Sequence, residues 1–295
     1  LGCINAGGGL GILIPPSVVM IIYSMNTGVS VGDLFAAGIV PGVLLAVLVG
    51  LYIAVRCFIQ PELGPALAKS ERASWPEKFA SVKAVILPVM IVAMVLGSIL
   101  SGIATPTEAA AIGVLRALIS AVVHGTFRFS MLHEAVVRTL GISAMIMWIF
   151  IGAHVFSTAY SAMGAQELIE GLVMHIPGGA LGALVVMLGI VFLMGMFLDP
   201  IGIMLITLPV FMPIVNHFGF DPVWFGILFI IMMEVGYMTP PFGFNLFYLK
   251  GAAPDGVTMG DIYQSVVPYV LVILFGLTLI ALIPSLALWL PGVLS

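Results

Sequence analysis

The chain has 295 residues, of which 62% are hydrophobic and only 7% are charged, and its formal net charge is −4. Soluble globular domains carry about 25% charged residues, so this composition excludes that class and indicates an all-α polytopic membrane protein in a lipid bilayer. The small net charge gives no reason to expect a nucleic-acid partner.

The first predicted span covers residues 4–23 and is broken near its middle by two consecutive prolines. Proline lacks a backbone N–H and clashes with the preceding turn, so a pair of prolines stops a helix. Backbone groups exposed inside a bilayer are tolerated only where protein or a water-filled cavity satisfies them. We therefore interpret this first break as a candidate ion or substrate site, with a plain structural kink as the alternative. Its candidate residues are Gly9, Gly11, Pro15, Pro16 and Ser17.

Four apolar segments follow, and each is about as long as the ~20 residues that a membrane span needs. The third begins with Thr105-Pro106-Thr107-Glu108, a pattern typical of a capped helix start, so we expect Glu108 to cap that helix. Arg116, deep in the same segment, could pair with Glu108 or with another subunit. The four predicted spans lie at about 34–56, 84–102, 107–125 and 139–160.

Residues 180–216 form one long apolar run, interrupted by Gly195-Met196-Phe197-Leu198-Asp199-Pro200. Each arm has about 15 residues, or roughly 22 Å of helix, which is short for a span. Two short arms around a Gly and Asp-Pro tip favour a re-entrant hairpin over two crossings. We call this segment the hairpin and expect both of its ends on the periplasmic side.

Asp199 is the only acidic residue of the hairpin. An ionised carboxylate at the expected depth of the hairpin tip needs a cation or hydrogen-bond donors. Sodium, like other hard cations, prefers oxygen ligands such as carboxylates and backbone carbonyls. The sequence favours a sodium ligand or a scaffold for a sodium site, and it leaves open that Asp199 is the N-cap of a helix starting at Pro200.

A second span, residues 222–248, is broken in the same way by two prolines. Glycine permits an unwound backbone at this second break, while threonine and asparagine bring side-chain oxygens. Glu234 is a second intramembrane carboxylate, which either coordinates an ion or substrate or bonds laterally to a neighbouring helix. The half-helices after both breaks would direct the positive ends of their dipoles toward an anion. The candidate residues here are Glu234, Gly236, Thr239, Pro240, Pro241 and Asn245.

A last span is predicted over residues 262–290, and the segments around the two breaks repeat each other. Gly11, Pro15 and Pro16 are matched 225 positions later by a glycine and two prolines, and a Gly-Asp pair and one more proline follow in both copies. Matched broken helices in two halves of a chain are typical of secondary transporters with an inverted repeat.

This repeat sets the predicted organisation of the chain. The second copy is preceded by far more membrane sequence than the first, so we expect an N-terminally truncated fragment. We predict the end of the first repeat in residues 1–58, a cytoplasmic connector in residues 59–83 and the second repeat in residues 84–295.

Basic residues predict the orientation. Five of the nine lie on the loop 56–83, which the positive-inside rule places in the cytoplasm. Counting spans forward places Arg128, Arg138 and Lys250 on cytoplasmic loops as well. This count requires the hairpin to enter and leave from the same outer side, which supports a re-entrant hairpin. The remaining predicted loops, 24–33, 102–107 and 161–179, contain no Lys or Arg.

Five ordered motifs resemble the large membrane subunit of tripartite ATP-independent periplasmic (TRAP) transporters, the DctM-like permeases. The motifs are Gly-Leu-Gly-Ile-Leu-Ile-Pro-Pro-Ser (9–17), Ala-Thr-Pro-Thr-Glu-Ala-Ala-Ala (104–111), Gly-Met-Phe-Leu-Asp-Pro (195–200), Asp-Pro-Val-Trp-Phe-Gly (221–226) and Thr-Pro-Pro-Phe-Gly-Phe-Asn-Leu-Phe (239–247). The resemblance covers essentially the whole chain. It implies an inverted-repeat fold with two re-entrant hairpins, sodium sites between hairpin tips and broken helices, and an elevator-type movement.

The resemblance also implies a function. It predicts a sodium-coupled importer of organic acids such as dicarboxylates in the bacterial inner membrane, with no cofactor besides sodium as the coupling ion. Its partners would be a small TRAP membrane subunit and a periplasmic substrate-binding protein. Carried over to this sequence, the ligand candidates of one sodium site are Asp199, Gly236 and Thr239. Residues 7–17 would form the other site with a hairpin that should precede Leu1, and Arg116 stands where the resemblance predicts an uncharged residue.

Other functional classes stay open at this point. One is a secondary anion transporter or channel without a binding-protein partner, and another is an intramembrane enzyme. Paired broken helices with Asp199 argue against a channel, which would favour pore-lining rings. An enzyme needs a nucleophile and a base, and the sequence shows no Ser-His-Asp set, His-Glu-x-x-His motif or Gly-rich phosphate loop that stands out.

Overall fold

The computed structural model describes residues 1–65, 72–164, 171, 177–254 and 256–294. Part of the predicted basic loop, including Lys69, and much of the predicted outer loop 161–179 lie outside the described residues. Within the described ranges the regular secondary structure is helical and contains no strand, which confirms the predicted all-α class.

The described helices are numbered in chain order. They are α1 Gly2–Leu13, α2 Val18–Thr27, α3 Val31–Ile59, α4 Trp75–Leu100, α5 Pro106–Val123, α6 Phe129–Ala162, α7 Gly179–Gly195, α8 Pro200–His217, α9 Pro222–Tyr237, α10 Phe244–Ala252, α11 Met259–Leu282 and α12 Ser285–Leu294. Five of them are long and apolar enough to cross a membrane, and the bent pair α1 and α2 would make a sixth span. The chain is therefore a polytopic membrane protein. One of the five helices is α8, the second arm of the hairpin, whose 18 residues exceed the predicted length of about 15, so the re-entrant path of the hairpin stays a prediction.

Each predicted break interrupts a helix. The first helix ends at Leu13 and α2 begins at Val18, with a bend of 40° between them. At the second break, α9 ends at Tyr237 and α10 begins at Phe244. The bond between the two prolines is cis at both breaks. Both discontinuous helices are confirmed, and the proline pairs explain them because neither proline can donate the next helical hydrogen bond.

The repeated Gly-Asp pair marks the start of a long helix in both copies. The amide N–H of Asp33 donates to Ser30 Oγ at 3.3 Å, and that of Asp261 donates to Thr258 Oγ1 at 3.2 Å. These bonds satisfy amide groups that have no partner within the helix. As a result, α3 and α11 begin at equivalent places after the two breaks.

The fourth helix begins at Trp75, inside the predicted connector 59–83 and nine residues before the predicted span at 84. Ser74 and Glu77 form a capping box, in which the Ser74 amide donates to Glu77 Oε2 at 2.7 Å. The backbone and side-chain bonds from Ser74 lower the pKa of the Glu77 carboxyl. The connector therefore ends earlier than predicted, because its polar composition conceals a helix start.

The predicted single span at 262–290 is wrong. The structure ends α11 at Leu282 and begins α12 at Ser285. Pro284 disfavours a helical conformation for the residue before it, and Ile283 has φ −126° and ψ 77°. The apolar composition continues through this proline, so hydropathy alone does not reveal the interruption.

The chain divides into two compact units. Leu1–Val49 and Thr139–Ser295 form the first, in which α9 is buried along most of its length and packs against α1, α2, α7, α8 and α11. Gly50–Arg138 forms the second, in which α4 packs against α5. These units group helices by contact, so they differ from the predicted repeats, whose boundary stays a prediction.

Candidate functional site

The hairpin tip meets the second break where α7 and α9 approach each other backbone to backbone. A Cβ on Gly195 would lie 3.0 Å from the Cα of Gly236, and a Cβ on Gly236 would lie 2.8 Å from the Cα of Gly195. Small residues allow this close approach between helices in membranes. The two glycines therefore determine how closely the hairpin tip lies to the second break.

Asp199 lies at the end of the hairpin tip and caps α8. Its Oδ2 accepts hydrogen bonds from the amide N–H groups of Ile201 at 3.0 Å and Gly202 at 3.2 Å. The side chain is half-buried, and its Oδ1 accepts no hydrogen bond in the described part of the chain. The capping role is therefore present, and one carboxylate oxygen is left for a further ligand.

The segment between α9 and α10 turns tightly around Gly243. This residue has φ +25°, and a Cβ there would lie 2.6 Å from the carbonyl oxygen of Tyr237 and 2.9 Å from that of Thr239. Thr239 donates its hydroxyl to the Val235 carbonyl at 2.7 Å and its amide N–H to the Gly236 carbonyl at 3.0 Å. The bonds of Thr239 therefore terminate α9. The carbonyl oxygens of Tyr237 and Thr239 both lie beside Gly243, which has no side chain.

Aromatic side chains form a second contact between the hairpin tip and this segment. The rings of Phe197 and Phe242 have centroids 5.5 Å apart. They border a cavity of about 360 Å³, which is also lined by Phe244, Phe247 and Tyr248. The structure thus brings the hairpin tip next to the segment Gly236 to Thr239, as the resemblance to the TRAP family implies.

Glu234 bridges the two halves of the second broken helix. Its side chain is only 5% exposed, and Oε1 accepts a hydrogen bond from Asn245 Nδ2 at 2.9 Å. Its Oε2 has no partner among the described residues. The predicted lateral bond therefore joins α9 to the continuation of the same broken span. A Cβ on Gly9 would overlap the Glu234 carboxyl group, so α1 contacts α9 at this carboxylate.

Replacing Gly9 with alanine is expected to destabilise the protein, whereas Gly8→Ala is expected to be neutral or slightly stabilising. The added methyl group would displace the Glu234 carboxyl group from its bond with Asn245, at a cost of about 1–3 kcal/mol. Gly8 has open space around it, and alanine favours a helix. Thermal unfolding of the two purified variants measures the difference. Equal melting temperatures would show that Glu234 moves aside without cost.

At the first break, Ser17 has a capping role. Ser17 Oγ accepts a hydrogen bond from the Met20 amide at 3.4 Å and donates to the Ile12 carbonyl, which places it at the start of α2. Pro15 is buried and Pro16 is exposed. A Cβ on Gly11 would have open space around it, in contrast to Gly236, its counterpart in the repeat. The glycine four residues before the proline pair is therefore less closely packed at the first break than at the second.

A further polar group, which lies near the start of α1, is not predicted from the sequence. Asn5 on α1 is 6% exposed, and its Nδ2 has no partner within the described ranges. It lines a groove of about 340 Å³ together with Gly8, Gly9 and Asn245. The available signal is that Asn5 is the single amide side chain in the glycine-rich helix α1.

Comparison with known proteins identifies the family. Residues 1–286 match the family described as "Tripartite ATP-independent periplasmic transporter, DctM component". The chain belongs to the DctM family. The resemblance carried by the five motifs is thereby confirmed over nearly the whole chain.

Several curated DctM-family proteins are similar to this chain. It is 33% identical over 294 residues to the C4-dicarboxylate TRAP transporter large permease protein DctM of Pseudomonas aeruginosa, covering 99% of this chain and 67% of the relative. The chain is 32% identical to the ectoine TRAP transporter large permease protein TeaC of Halomonas elongata, over 95% of this chain and 64% of the relative. It is 30% identical to the sialic acid TRAP transporter large permease protein SiaM of Vibrio cholerae, over 96% of this chain and 65% of the relative. The chain spans about two thirds of these proteins. They are transporter components, so this DctM-family chain is not an enzyme.

The hairpin tip and the second break offer oxygen ligands of the kind that sodium prefers. No three His, Cys, Asp or Glu side chains converge as metal ligands in the part of this DctM-family chain that the structure describes. Sodium does not need such a cluster, because carboxylate and backbone carbonyl oxygens serve it. Asp199 and the carbonyls beside Gly243 supply oxygens of this kind, and neither hairpin arm carries a Lys or Arg.

Proposed function

We propose that this chain is the large transmembrane subunit of a sodium-coupled tripartite importer of organic acids, and that it works by an elevator-type movement. The observation that carries the proposal is the contact between the hairpin tip and the second break. There the half-buried Asp199 carboxylate, one oxygen of which accepts no hydrogen bond from the described residues, lies on the same tip as Gly195, which contacts Gly236. A transporter needs such a contact between two separate elements, because their relative position then depends on the ion bound between them.

The sodium site in this proposal has Asp199, Gly236 and Thr239 as its ligand candidates. Buried charge needs a counter-charge, and sodium supplies one without any basic side chain in the hairpin. The carbonyl groups of an unwound helix are the usual sodium ligands in transporters with broken helices. Thr239 can contribute its backbone carbonyl and its hydroxyl oxygen, because a hydroxyl that donates its proton to the Val235 carbonyl keeps its lone pairs for a cation.

The substrate class is an organic acid, such as a dicarboxylate. Helices α2 and α10 begin directly after the breaks, and the N-terminus of a helix attracts anions. The names of two relatives, for C4-dicarboxylate and for sialic acid, refer to organic acids. The binding protein would select the acid, so this chain need only accept a carboxylate.

The proposed partners are a small TRAP membrane subunit and a periplasmic substrate-binding protein, and the proposed location is the bacterial inner membrane. Family membership supports these partners, because the tripartite architecture that gives the family its name requires three components. The absence of Lys and Arg from the predicted loops 24–33, 102–107 and 161–179 supports a periplasmic face to which a binding protein could dock.

Reconstituted uptake tests the proposal. The complete transporter containing this chain would be placed in liposomes with its small subunit, and binding protein loaded with radiolabelled acid would be added outside. We expect accumulation under an inward sodium gradient, and none with potassium or without binding protein. Uptake that is equal in potassium would contradict sodium coupling. Flux that needs no binding protein and never exceeds equilibrium would indicate a channel.

A further inference from the structure

A groove of about 530 Å³ between α4 and α5 combines apolar walls with one arginine among the side chains that the structure describes. Three polar side chains line the groove at a spacing of four residues: Arg116 and Ser120 on one face of α5, and His124 directly after the last residue of α5. The His124 ring nitrogen Nδ1 lies 2.9 Å from the Ser120 carbonyl oxygen, which holds the imidazole against the end of the helix. The apolar walls include Met90 and Ile91 from α4, and Ile112 and Ile119 from α5.

Arg116 has no counter-charge in the described part of the chain. Among the described residues that line the groove, none is acidic. The Glu108 carboxylate accepts hydrogen bonds from the Thr105 amide and hydroxyl groups, both at 2.8 Å, so the suggested pairing of Glu108 with Arg116 is not formed. An arginine in an apolar span is costly without an anion. The anion must therefore come from outside the described residues.

The position of Arg116 along α5 indicates which anions can reach it. Seven residues separate it from Val123, about 10 Å of helix. The predicted orientation places this end of α5 at the cytoplasmic surface, and an arginine side chain extends toward the nearest interface. Lipid phosphate groups lie at that interface. A guanidinium group binds phosphate through two parallel hydrogen bonds.

We propose that the α4–α5 groove binds an anionic phospholipid. The lipid phosphate pairs with Arg116, headgroup hydroxyls bond to Ser120 and His124, and an acyl chain lies along the isoleucine and methionine side chains. A free inorganic anion would contact only the polar end of the groove and none of its apolar walls, so the groove matches a molecule that is charged at one end and apolar along its length.

Native mass spectrometry of the purified chain tests this proposal. The protein would be equilibrated in detergent with equimolar phosphatidylglycerol and phosphatidylethanolamine, and the bound lipids would be counted. We expect wild type to retain phosphatidylglycerol preferentially, and Arg116→Gln to lower this retention about fivefold or more. Arg116→Lys, which keeps the charge without the bidentate geometry, should give an intermediate loss.

Arg138→Gln is the matched control, because Arg138 forms an exposed ion pair with Glu134 at 2.5 Å in the same unit. It should retain phosphatidylglycerol as wild type does. An equal loss in Arg138→Gln would show diffuse surface charge and overturn the proposal, as would unchanged retention in Arg116→Gln. Loss of the bound lipid on addition of millimolar inorganic phosphate would also overturn the proposal. So would loss of the lipid when the small membrane subunit binds, because the groove would then be a protein interface.

Discussion

Gly236→Ala and Gly195→Ala are each expected to abolish uptake and to lower the melting temperature of the protein by several degrees. Each new methyl group would lie 2.8–3.0 Å from the Cα of the opposite glycine. The neighbouring atoms are backbone, so no side chain can rotate away and α7 must separate from α9. Overpacking of this kind costs about 1–3 kcal/mol, and separation would also open the contact proposed to hold sodium.

The matched control lies on the same helix. A Cβ on Gly189 of α7 would have open space for 4 Å around it, so Gly189→Ala should be neutral or slightly stabilising. Melting curves of the purified variants and uptake by the complete transporter are the measurements. If Gly236→Ala melted and transported like Gly189→Ala, the close approach would not matter for either property.

Asp199→Asn is expected to lower the apparent sodium affinity of uptake by about tenfold or more, or ~1.4 kcal/mol or more, while leaving membrane insertion intact. Asparagine caps a helix about as well as aspartate, so the bonds to Ile201 and Gly202 should persist and only the charge is lost. Sodium titration of initial uptake rates measures the effect. If the sodium titration curves of wild type and Asp199→Asn overlapped, Asp199 would act only as a helix cap.

Asp221 provides the control for this substitution. It caps α9 in the same Asp-Pro pattern, and its Oδ1 accepts from the amides of Val223 at 2.8 Å and Trp224 at 3.1 Å. Asp221→Asn should therefore leave both the cap and the sodium dependence unchanged. A shift of the sodium titration in both variants would indicate a general effect of removing a carboxylate from a cap.

Features that depend on local backbone chemistry are predictable from the sequence. The proline pairs predict both breaks, and the Thr105 to Glu108 pattern predicts the start of α5, because each acts within one helical turn. The same local effects act at Pro284 and at Ser74, but there the composition points the other way. At Pro284 the apolar run continues past the proline that interrupts the helix. At Ser74 a capped helix begins within polar sequence.

Contacts between distant segments are harder to predict. The bond from Asn245 to Glu234 crosses eleven positions and an interrupted helix, so helical periodicity cannot relate the two residues. The approach of Gly195 to Gly236 is expected only through the resemblance to the TRAP family, since glycines occur throughout the chain. Asn5 belongs to no motif, and only the burial of its side chain in the structure marks it as a candidate.

The contact of Gly9 with Glu234 limits how alike the two copies of the repeat can be. The 225-position offset that relates the proline pairs also relates residue 9 to residue 234, so these two are counterparts that touch. Two identical copies would place here either two glutamates in collision or two glycines around a void. The contact therefore requires the two copies to differ at this position, with a carboxylate in one and no side chain in the other.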